Sequence, residues 1–223
     1  MLFSVSCGLA PPFLSSMTMT LVATEAEPRV RRRGRIEYET AWHEMREFTA
    51  QRVTDTADEL WLVEHPPVYT LGQGADEVVV TNGIPVVRSD RGGEITYHGP
   101  GQVVVYALID LARRGIKVKQ FVALLEQAVI DLVGPRAERK AGAPGAYVGG
   151  AKIAALGIRV TRGRSYHGLA LNVDMDLSPF AAIDPCGFPG LQVTQLRDLG
   201  FAESVSTAGD KIASNLVRGL ERA

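Results

Sequence analysis

Apolar residues recur every three or four positions in two long segments of the chain. This spacing, from Glu37 to Arg52 and from Gln120 to Val133, places the apolar side chains on one face and predicts two amphipathic helices. Gly134-Pro135 follows the second segment and marks its end. A third helix is predicted near the carboxyl end of the chain, with Thr207 as its N-cap.

Short apolar and β-branched runs between these segments predict strands. They are Glu59–Val63, Val78–Val80, Ile84–Val87, Val103–Ile109, Ala146–Val148, Lys152–Val160 and Ser165–Val173. Asn82-Gly83 and Gly149-Gly150 predict the turns of two hairpins, and Arg162-Gly163-Arg164 predicts another turn. Because hairpins make neighbouring strands antiparallel, we expect an α/β fold: a single domain with a mixed, mainly antiparallel sheet and flanking helices.

Composition restricts the functional class. The 223 residues are 46% hydrophobic and 22% charged, with a formal net charge of -1, which is typical of a globular domain and gives no indication of a nucleic acid partner. No run of about 18 apolar residues predicts a membrane span. Cys7 and Cys186 are the two cysteines, and with one of them near the amino end we expect no structural disulfide and a cytoplasmic location.

The amino-terminal segment carries no periodic pattern. We expect residues 1–30 to form a disordered extension and residues 31–223 to form the catalytic domain. A run from Arg29 to Arg35 contains five arginines and is interpreted as a solvated lead-in to that domain.

Cys186 is the strongest candidate for chemistry. It lies in the turn Asp184-Pro185-Cys186-Gly187, where proline fixes one backbone angle and glycine permits unusual ones, so the turn can hold a thiol rigidly. Burial as a small apolar residue is the structural alternative.

Lys152 follows Gly149-Gly150 and precedes an apolar run. An ammonium beside a thiol favours the nucleophilic thiolate, which makes this pair a candidate catalytic site.

Glycine-rich segments raise the question of nucleotide binding. Gly150-Ala151-Lys152-Ile153 does not fit a phosphate-binding loop, and Gly72-Gln73-Gly74 lacks the third glycine of a dinucleotide fingerprint. The four histidines are scattered and predict no metal site. The segment from Arg91 to Gln102 combines glycine pairs with arginine, tyrosine and histidine. It indicates either a ligand-binding loop or a conformationally demanding turn before a core strand.

Five segments together resemble the lipoyl(octanoyl) transferases of the lipoate–protein transferase family. The resemblance covers about residues 34 to 200 in colinear order. The matching segments are Glu64–Gly72 (EHPPVYTLG), Arg91–Gln102 (RGGEITYHGPGQ), Ala143–Val148 with Lys152, His167–Asn172 (HGLALN) and Asp184–Gly187 (DPCG). Glu94 departs from the pattern, because many members have glutamine there.

The resemblance implies a fold related to the biotin and lipoate ligases. It also implies transfer of an octanoyl or lipoyl group from acyl carrier protein to a lysine of a lipoyl domain. The acceptors implied are the lipoyl domains of 2-oxoacid dehydrogenase complexes and the glycine cleavage H protein. A thioester arrives already activated, so we expect no cofactor, no metal, no nucleic acid and no membrane partner, and a monomer.

The resemblance also assigns residues. Cys186 matches the acyl-thioester residue and Lys152 the lysine that acts on it. The octanoyl pocket maps onto Arg91, Gly92, Gly93, Glu94, Ile95, Thr96, Tyr97, His98, Ala155, Leu156, Gly157, Gly168, Leu169 and Ala170.

Three alternatives stay open at this stage. A Cys–His pair that uses His98 or His167 could replace the Cys–Lys pair. An ATP-dependent lipoate or biotin ligase would share the fold. A non-catalytic scaffold that binds acyl groups or lipoyl domains would need no thioester on Cys186.

Overall fold

A computed structural model describes residues 26–77, 80–183 and 190–223. These residues form three α-helices, ten β-strands and short 3₁₀ helices. The α-helices are α1 (Tyr38–Gln51), α2 (Val118–Val133) and α3 (Val205–Glu221). The strands are β1 (Arg29–Arg35), β2 (Glu59–Glu64), β3 (Val68–Leu71), β4 (Val86–Arg88), β5 (Ile95–His98), β6 (Gln102–Leu108), β7 (Ala137–Lys140), β8 (Ala143–Val148), β9 (Ala151–Thr161) and β10 (Arg164–Asn172).

Seven strands form one large mixed sheet in the order β1-β2-β6-β10-β9-β8-β7. Its neighbours are antiparallel except for β1 and β2. Helices α2 and α3 cover one face, where Phe121 and Ile212 pack into the main apolar core. Helix α1 covers part of the other face through Ala41 and Met45. The predicted α/β class, with a mainly antiparallel sheet and flanking helices, is confirmed.

A second sheet has three strands in the order β4-β3-β5. Its core contains Tyr69, Leu71, Ile95 and Tyr97, together with Phe180 from the 3₁₀ helix Ser178–Ala182. The sequence predicted strand character near β4, but as part of a hairpin with Val78–Val80. Val78 and Val79 lie outside the described residues, and β4 pairs in parallel with β3 instead.

Several local predictions are confirmed. Helices α1 and α2 lie within two residues of the predicted bounds, and all seven residues of β6 are buried. Gly149 and Gly150 have positive φ angles of 56° and 83° in the turn between β8 and β9, so this hairpin is confirmed. The cap of α3 was placed three residues too late. Ser204 is the N-cap, and Thr207 completes a capping box with it.

The basic run near the amino end forms a strand. The run was interpreted as a solvated lead-in, but its residues form β1 at the edge of the large sheet. Its side chains stay largely exposed, and Arg31 and Arg32 pair with Glu59 and Asp210 at 2.5 and 2.7 Å. A charged edge strand has no apolar alternation, because its side chains face solvent. Apolar periodicity therefore gave no signal for it.

Within the described residues, no helix combines the length and the apolar character that crossing a bilayer requires.

Candidate functional site

A cavity lies between the large sheet and the loop that leads into β5. Its cavity volume is about 40 Å³, the space rises to about 480 Å³ when the gaps between atoms and the open mouth are included, and its wall is mainly apolar. The residues around it come from α1, β5, β6, β9, β10 and the loop before β5. They are Tyr38, Arg91, Gly93, Glu94, Ile95, Thr96, His98, Val104, Tyr106, Ala155, Leu156, Gly157, His167, Gly168, Leu169 and Ala170.

Small residues on β9 and β10 form one side of this cavity. Ala155 pairs with Ala170, and Gly157 pairs with Gly168, across the two antiparallel strands. A Cβ on Gly157 would lie 2.7 Å from the carbonyl oxygen of Gly92, closer than side-chain carbons approach backbone. The loop can therefore pack directly on β9 only because position 157 carries no side chain.

Arg91 anchors the loop that precedes β5. Its guanidinium is buried and donates to the backbone oxygen of Thr70 at 2.6 Å and to its hydroxyl at 2.8 Å. The Gly92 amide donates to the carbonyl oxygen of Ile158 on β9 at 3.0 Å. These bonds tie the loop to both sheets, so Arg91 positions the cavity wall.

His167 and Asp90 form a polar pair at the cavity. His167 Nε2 lies 2.8 Å from Asp90 Oδ1, and the same carboxylate accepts from Tyr166 Oη at 2.5 Å and from Trp42 Nε1 at 2.8 Å. Burial raises the pKa of Asp90, but the hydrogen bonds from His167 and Tyr166 outweigh it and the pKa falls below its ordinary value. Burial also lowers the pKa of His167. An ionised carboxylate only accepts, so Nε2 carries the proton.

The other ring nitrogen of His167 has no such partner. Nδ1 is buried and makes no hydrogen bond within the part of the chain that the structure describes. The backbone of His167 has φ of 60°, a rare value for a residue with a side chain. Strain of this kind is concentrated at functional sites.

Two further histidines are neutral in the interior. Burial, followed by the charge of His65, lowers the pKa of His98 to about 3, and burial lowers the pKa of His65 to about 4. His98 Nδ1 contacts Gln102 Oε1 at 2.7 Å, and His65 Nε2 contacts Tyr106 Oη at 2.7 Å. His98, one candidate for a Cys–His pair, is therefore already engaged with Gln102 through one nitrogen.

Lys152 lies on β9, three residues before Ala155, and only 3% of its surface is exposed. Its Nζ lies 5.4 Å from the centroid of the Tyr147 ring, which is cation–π distance. The residue pairs with Tyr147 on β8. Lysine is rarely buried to this extent, so its position departs from the solvent-facing lysine that is usual at a strand start.

The free edge of β9 at Lys152 is covered by a later segment of the chain. The Lys152 amide donates to the carbonyl oxygen of Gln192 at 2.8 Å, and the Lys152 carbonyl oxygen accepts from the Thr194 amide at 3.0 Å. Val193 thereby forms a parallel bridge with Lys152. Cys186 and the turn around it lie outside the described residues, so the predicted Cys186–Lys152 contact stays a prediction.

The structure brings most of the predicted pocket residues to one cavity. Two members of the predicted set are not part of its lining. Gly92 lies at a neighbouring groove, and Tyr97 packs against Tyr69 and Phe180 in the small sheet. Thr96 and His98, the neighbours of Tyr97 on β5, line the cavity from the opposite face of the strand.

Sequence reasoning missed several residues around the cavity. Tyr38, Val104 and Tyr106 line it, and Asp90 holds His167. Val104 and Tyr106 stand two apart on β6, so they share a face. Strand alternation identifies that face only once the register with β10 is known.

Comparison with known proteins places this geometry in a family. The model of the lipoyl protein ligase A/B catalytic domain matches residues 37–216. The chain is 60% identical over 196 residues to the octanoyltransferase of Aromatoleum aromaticum (strain DSM 19018 / LMG 30748 / EbN1), which covers 86% of this chain and 85% of the relative.

Solved structures share the fold at low sequence identity. A lipoate-protein ligase A bound with ATP has a TM-score of 0.68 at 16% identity and covers 88% of this chain and 85% of its own. The biotin protein ligase from Aquifex aeolicus, in complex with biotin and ATP, has a TM-score of 0.54 at 9% identity. The match covers 87% of this chain and 71% of the ligase chain. These likenesses support the fold expected from the sequence. The family match and the 60% identity to a curated octanoyltransferase establish that the chain belongs to the octanoyltransferase family of lipoyl protein ligase A/B catalytic domains and is an acyltransferase.

Proposed function

We propose that this acyltransferase moves an octanoyl or lipoyl group from acyl carrier protein to a specific lysine of a lipoyl domain, through a thioester on Cys186. The expected acceptors are the lipoyl domains of 2-oxoacid dehydrogenase complexes and the glycine cleavage H protein. Because the donor thioester is already activated, the proposed reaction needs neither a nucleotide nor a metal.

The cavity supports an acyl substrate. Its wall is mainly apolar, and Ala155, Gly157, Gly168 and Ala170 leave space along β9 and β10 for a flexible chain. Burial of each methylene contributes about 0.8 kcal/mol. An eight-carbon chain in this cavity would therefore bind mainly by removing its apolar surface from water, and the cavity would have to widen from its volume of about 40 Å³ to admit it.

The observation that carries the proposal is the way the chain on either side of Cys186 is held. Ile183, three residues before it, packs in the core of the small sheet with the cavity residue Ile95. Val193, seven residues after it, bridges the buried Lys152. Because the described residues that flank position 186 in the sequence contact the cavity wall on one side and Lys152 on the other, they support the proposal that Cys186 meets both.

The first proposed step is thioester exchange. The Cys186 thiolate attacks the carbonyl carbon of the donor thioester, the carbon–sulfur bond to pantetheine breaks, and Lys152 gives its proton to the departing thiolate. An ammonium about 4 Å from a thiolate contributes roughly 4 kcal/mol at an effective dielectric near 20. That is enough to keep much of the thiol ionised at neutral pH.

The second proposed step forms the amide. The acceptor lysine, as a neutral amine, attacks the carbonyl carbon of acyl-Cys186 and displaces the sulfur as a thiolate. Lys152, which lost its proton in the first step, takes the proton that the amine releases. The cycle then returns both groups to their starting states, and it predicts ping-pong kinetics.

Intact-mass spectrometry tests the intermediate. After mixing with octanoyl carrier protein, the chain should gain the mass of one octanoyl group, and Cys186→Ser should gain none. Lys152→Ala should form the acyl-enzyme slowly and pass it on slowly. Turnover by Cys186→Ser at the wild-type rate would overturn the proposal. Activity with free octanoate and ATP, but none with octanoyl carrier protein, would indicate a ligase instead.

A titration of thiol reactivity separates the two possible partners of Cys186. If Lys152 stabilises the thiolate, Lys152→Ala should shift the pH profile of iodoacetamide labelling upward, while His167→Gln should leave it in place. The reverse result would assign the thiolate to a Cys–His pair.

A further inference from the structure

Glu94 lies where two cavities meet. It lines the acyl cavity, and it also lines a second groove formed by Gly92–Glu94, Val122, Gly142–Pro144 and Leu156–Ile158. The two spaces share Gly93, Glu94, Leu156 and Gly157 in their linings, so they adjoin at these residues. Glu94 therefore borders both the acyl cavity and a space that a second substrate can occupy.

The backbone around Glu94 is fixed by a neighbouring turn. The Gly72 amide donates to the Glu94 carbonyl, and the Gly74 amide donates to the Gly93 carbonyl, each at 3.1 Å. A Cβ on Gly74 would lie 2.8 Å from Glu94 Oε1. The bare backbone of Gly74 thus leaves the space that the carboxylate occupies, which explains this glycine without a nucleotide.

The Glu94 carboxylate makes no hydrogen bond and no ion pair with any residue of the ranges 26–77, 80–183 and 190–223. Its residue is half-buried. Among the described residues that line the groove, Glu94 is the one that carries a charge. An acidic group in such a setting favours a cation as its ligand.

The groove also leads toward Lys152. Ala143 and Pro144 line it, and the next residue, Gly145, lies against the Lys152 side chain, since a Cβ there would be 3.4 Å from Nζ. The groove wall at Pro144 is therefore adjacent in the chain to the backbone that lies against the buried lysine.

We propose that Glu94 binds the ammonium of the acceptor lysine before acyl transfer. This inference rests on the proposed function, in which that lysine must reach the acyl group. The ammonium pairs with the carboxylate on arrival and releases one proton to solvent. The neutral amine then attacks, and its second proton goes to Lys152 as in the proposed second step. Glu94 is then a residue for acceptor recognition, and its main contribution is to KM for the acceptor.

A glutamine at position 94 is the closest neutral replacement for the carboxylate. Its amide can accept a hydrogen bond from an ammonium but lacks the charge. Charge-assisted hydrogen bonds are roughly twice as strong as neutral ones. This chain should therefore bind its acceptor more tightly at low salt than its own Glu94→Gln variant does.

A double-mutant cycle on binding gives the most direct test. The probe is an isolated, unmodified lipoyl domain of a 2-oxoacid dehydrogenase complex, with its acceptor lysine intact or changed to glutamine. We expect Glu94→Gln to raise the Kd of the intact domain about fivefold at low ionic strength and to leave the Kd of the lysine-free domain unchanged. Glu221→Gln, the same charge change at an exposed position on α3, should change neither.

Kinetics and a second variant complete the test. Glu94→Gln should raise KM for the lipoyl domain with kcat nearly constant, and deacylation by hydroxylamine, a neutral amine at pH 7.5, should be unaffected. Gly74→Ala should weaken acceptor binding similarly, because its methyl group displaces the carboxylate.

Two results would overturn the inference. One is equal Kd changes for both forms of the lipoyl domain. The other is a slower acylation by octanoyl carrier protein, which would assign Glu94 to the donor. Failure of the proposed function is separate, because it shows as wild-type enzyme that transfers no octanoyl group.

Discussion

Gly145 on β8 lies directly against the Lys152 side chain. A Cβ at position 145 would be 2.6 Å from Lys152 Cε and 2.7 Å from the carbonyl oxygen of Ala154. The glycine has a φ angle of 149°, which side-chain-bearing residues rarely adopt. The missing side chain thus makes the space in which the buried lysine lies.

Gly145→Ala should therefore move Lys152. We expect kcat for octanoyl transfer to fall about 100-fold, since a displacement near 1 Å of a positioned catalytic group can cost that much. Gly149→Ala is the matched control. Gly149 also has a positive φ, but nothing lies within 4 Å of its Cβ position, so it should lose roughly 1 kcal/mol of stability and keep its kcat. Equal kcat values for the two variants would contradict a role for Gly145 in placing Lys152.

Ala155 should control the length of the acyl group. It lines the cavity opposite Ala170, so Ala155→Leu adds three carbon atoms to the wall. We expect kcat/KM for octanoyl carrier protein to fall at least tenfold, because a misfit of one methylene in an apolar pocket is worth about 1–3 kcal/mol. For butyryl carrier protein, kcat/KM should change less than about threefold.

The control for this change is Ala151→Leu. Ala151 lies on the same strand but is not part of the cavity lining, so its ratio of octanoyl to butyryl activity should match the wild type. An unchanged ratio in Ala155→Leu would mean that the acyl chain binds elsewhere.

The fold was predictable wherever one local signal dominated. Helical periodicity located α1 and α2, and Gly149-Gly150 located a hairpin, because both signals depend on neighbours in the chain. Strand β1 and the parallel pairing of β3 with β4 were missed. Parallel partners are distant in sequence, and an exposed edge strand has no apolar alternation, so neither has a local pattern.

Most residues that line the cavity were predictable from motif resemblance rather than from local periodicity. Arg91, Gly157 and Gly168 came from motif resemblance, and packing explains why these types are needed, since Gly157 admits the backbone of Gly92. Asp90 and Tyr106 were missed because their roles depend on contacts with His167 and His65, more than 40 positions away. Such contacts follow from strand register, which the sequence does not display.

Acid should destabilise the fold through its buried histidines. His65 and His98 have pKa values of about 4 and about 3 when folded, against about 6.5 when unfolded. Below pH 6.5 the unfolded chain binds protons that the folded chain does not, so the unfolding free energy falls as the pH falls. Each histidine should contribute a slope of about 1.4 kcal/mol per pH unit, ending near pH 4 for His65 and near pH 3 for His98.

Urea unfolding between pH 7 and pH 4.5 measures this slope. His65→Gln should reduce the slope of the unfolding free energy against pH by about 1.4 kcal/mol per pH unit, the contribution of one histidine. This reduction is expected even if the substitution also changes the unfolding free energy at pH 7. His43→Gln changes an exposed histidine of α1 and should leave the slope as it is. A slope that His65→Gln does not alter would place the proton uptake on other groups.

Asp58 connects three arginines beneath the end of β6. Its carboxylate accepts from Arg52, from Arg113 Nη2 at 2.9 Å, from Arg114 Nε at 2.6 Å and from the Asp110 amide at 2.8 Å. Burial raises the pKa of Asp58, but the hydrogen bonds from Arg52, Asp110 and Arg114 outweigh it, so the pKa falls. The carboxylate is therefore charged in the folded state.

Asp58→Asn should thus be the most destabilising conservative change outside the apolar core. The side chains of Asp58 and Arg52 are both fully buried, and removing one partner of such a pair leaves an uncompensated charge that costs roughly 3–5 kcal/mol. Asp210→Asn, which breaks the exposed pair with Arg32, should cost less than about 1 kcal/mol. Urea midpoints at pH 7 measure both losses. A loss at Asp58 no larger than that at Asp210 would show that water or another group compensates Arg52, and that this network adds little to the stability of the fold.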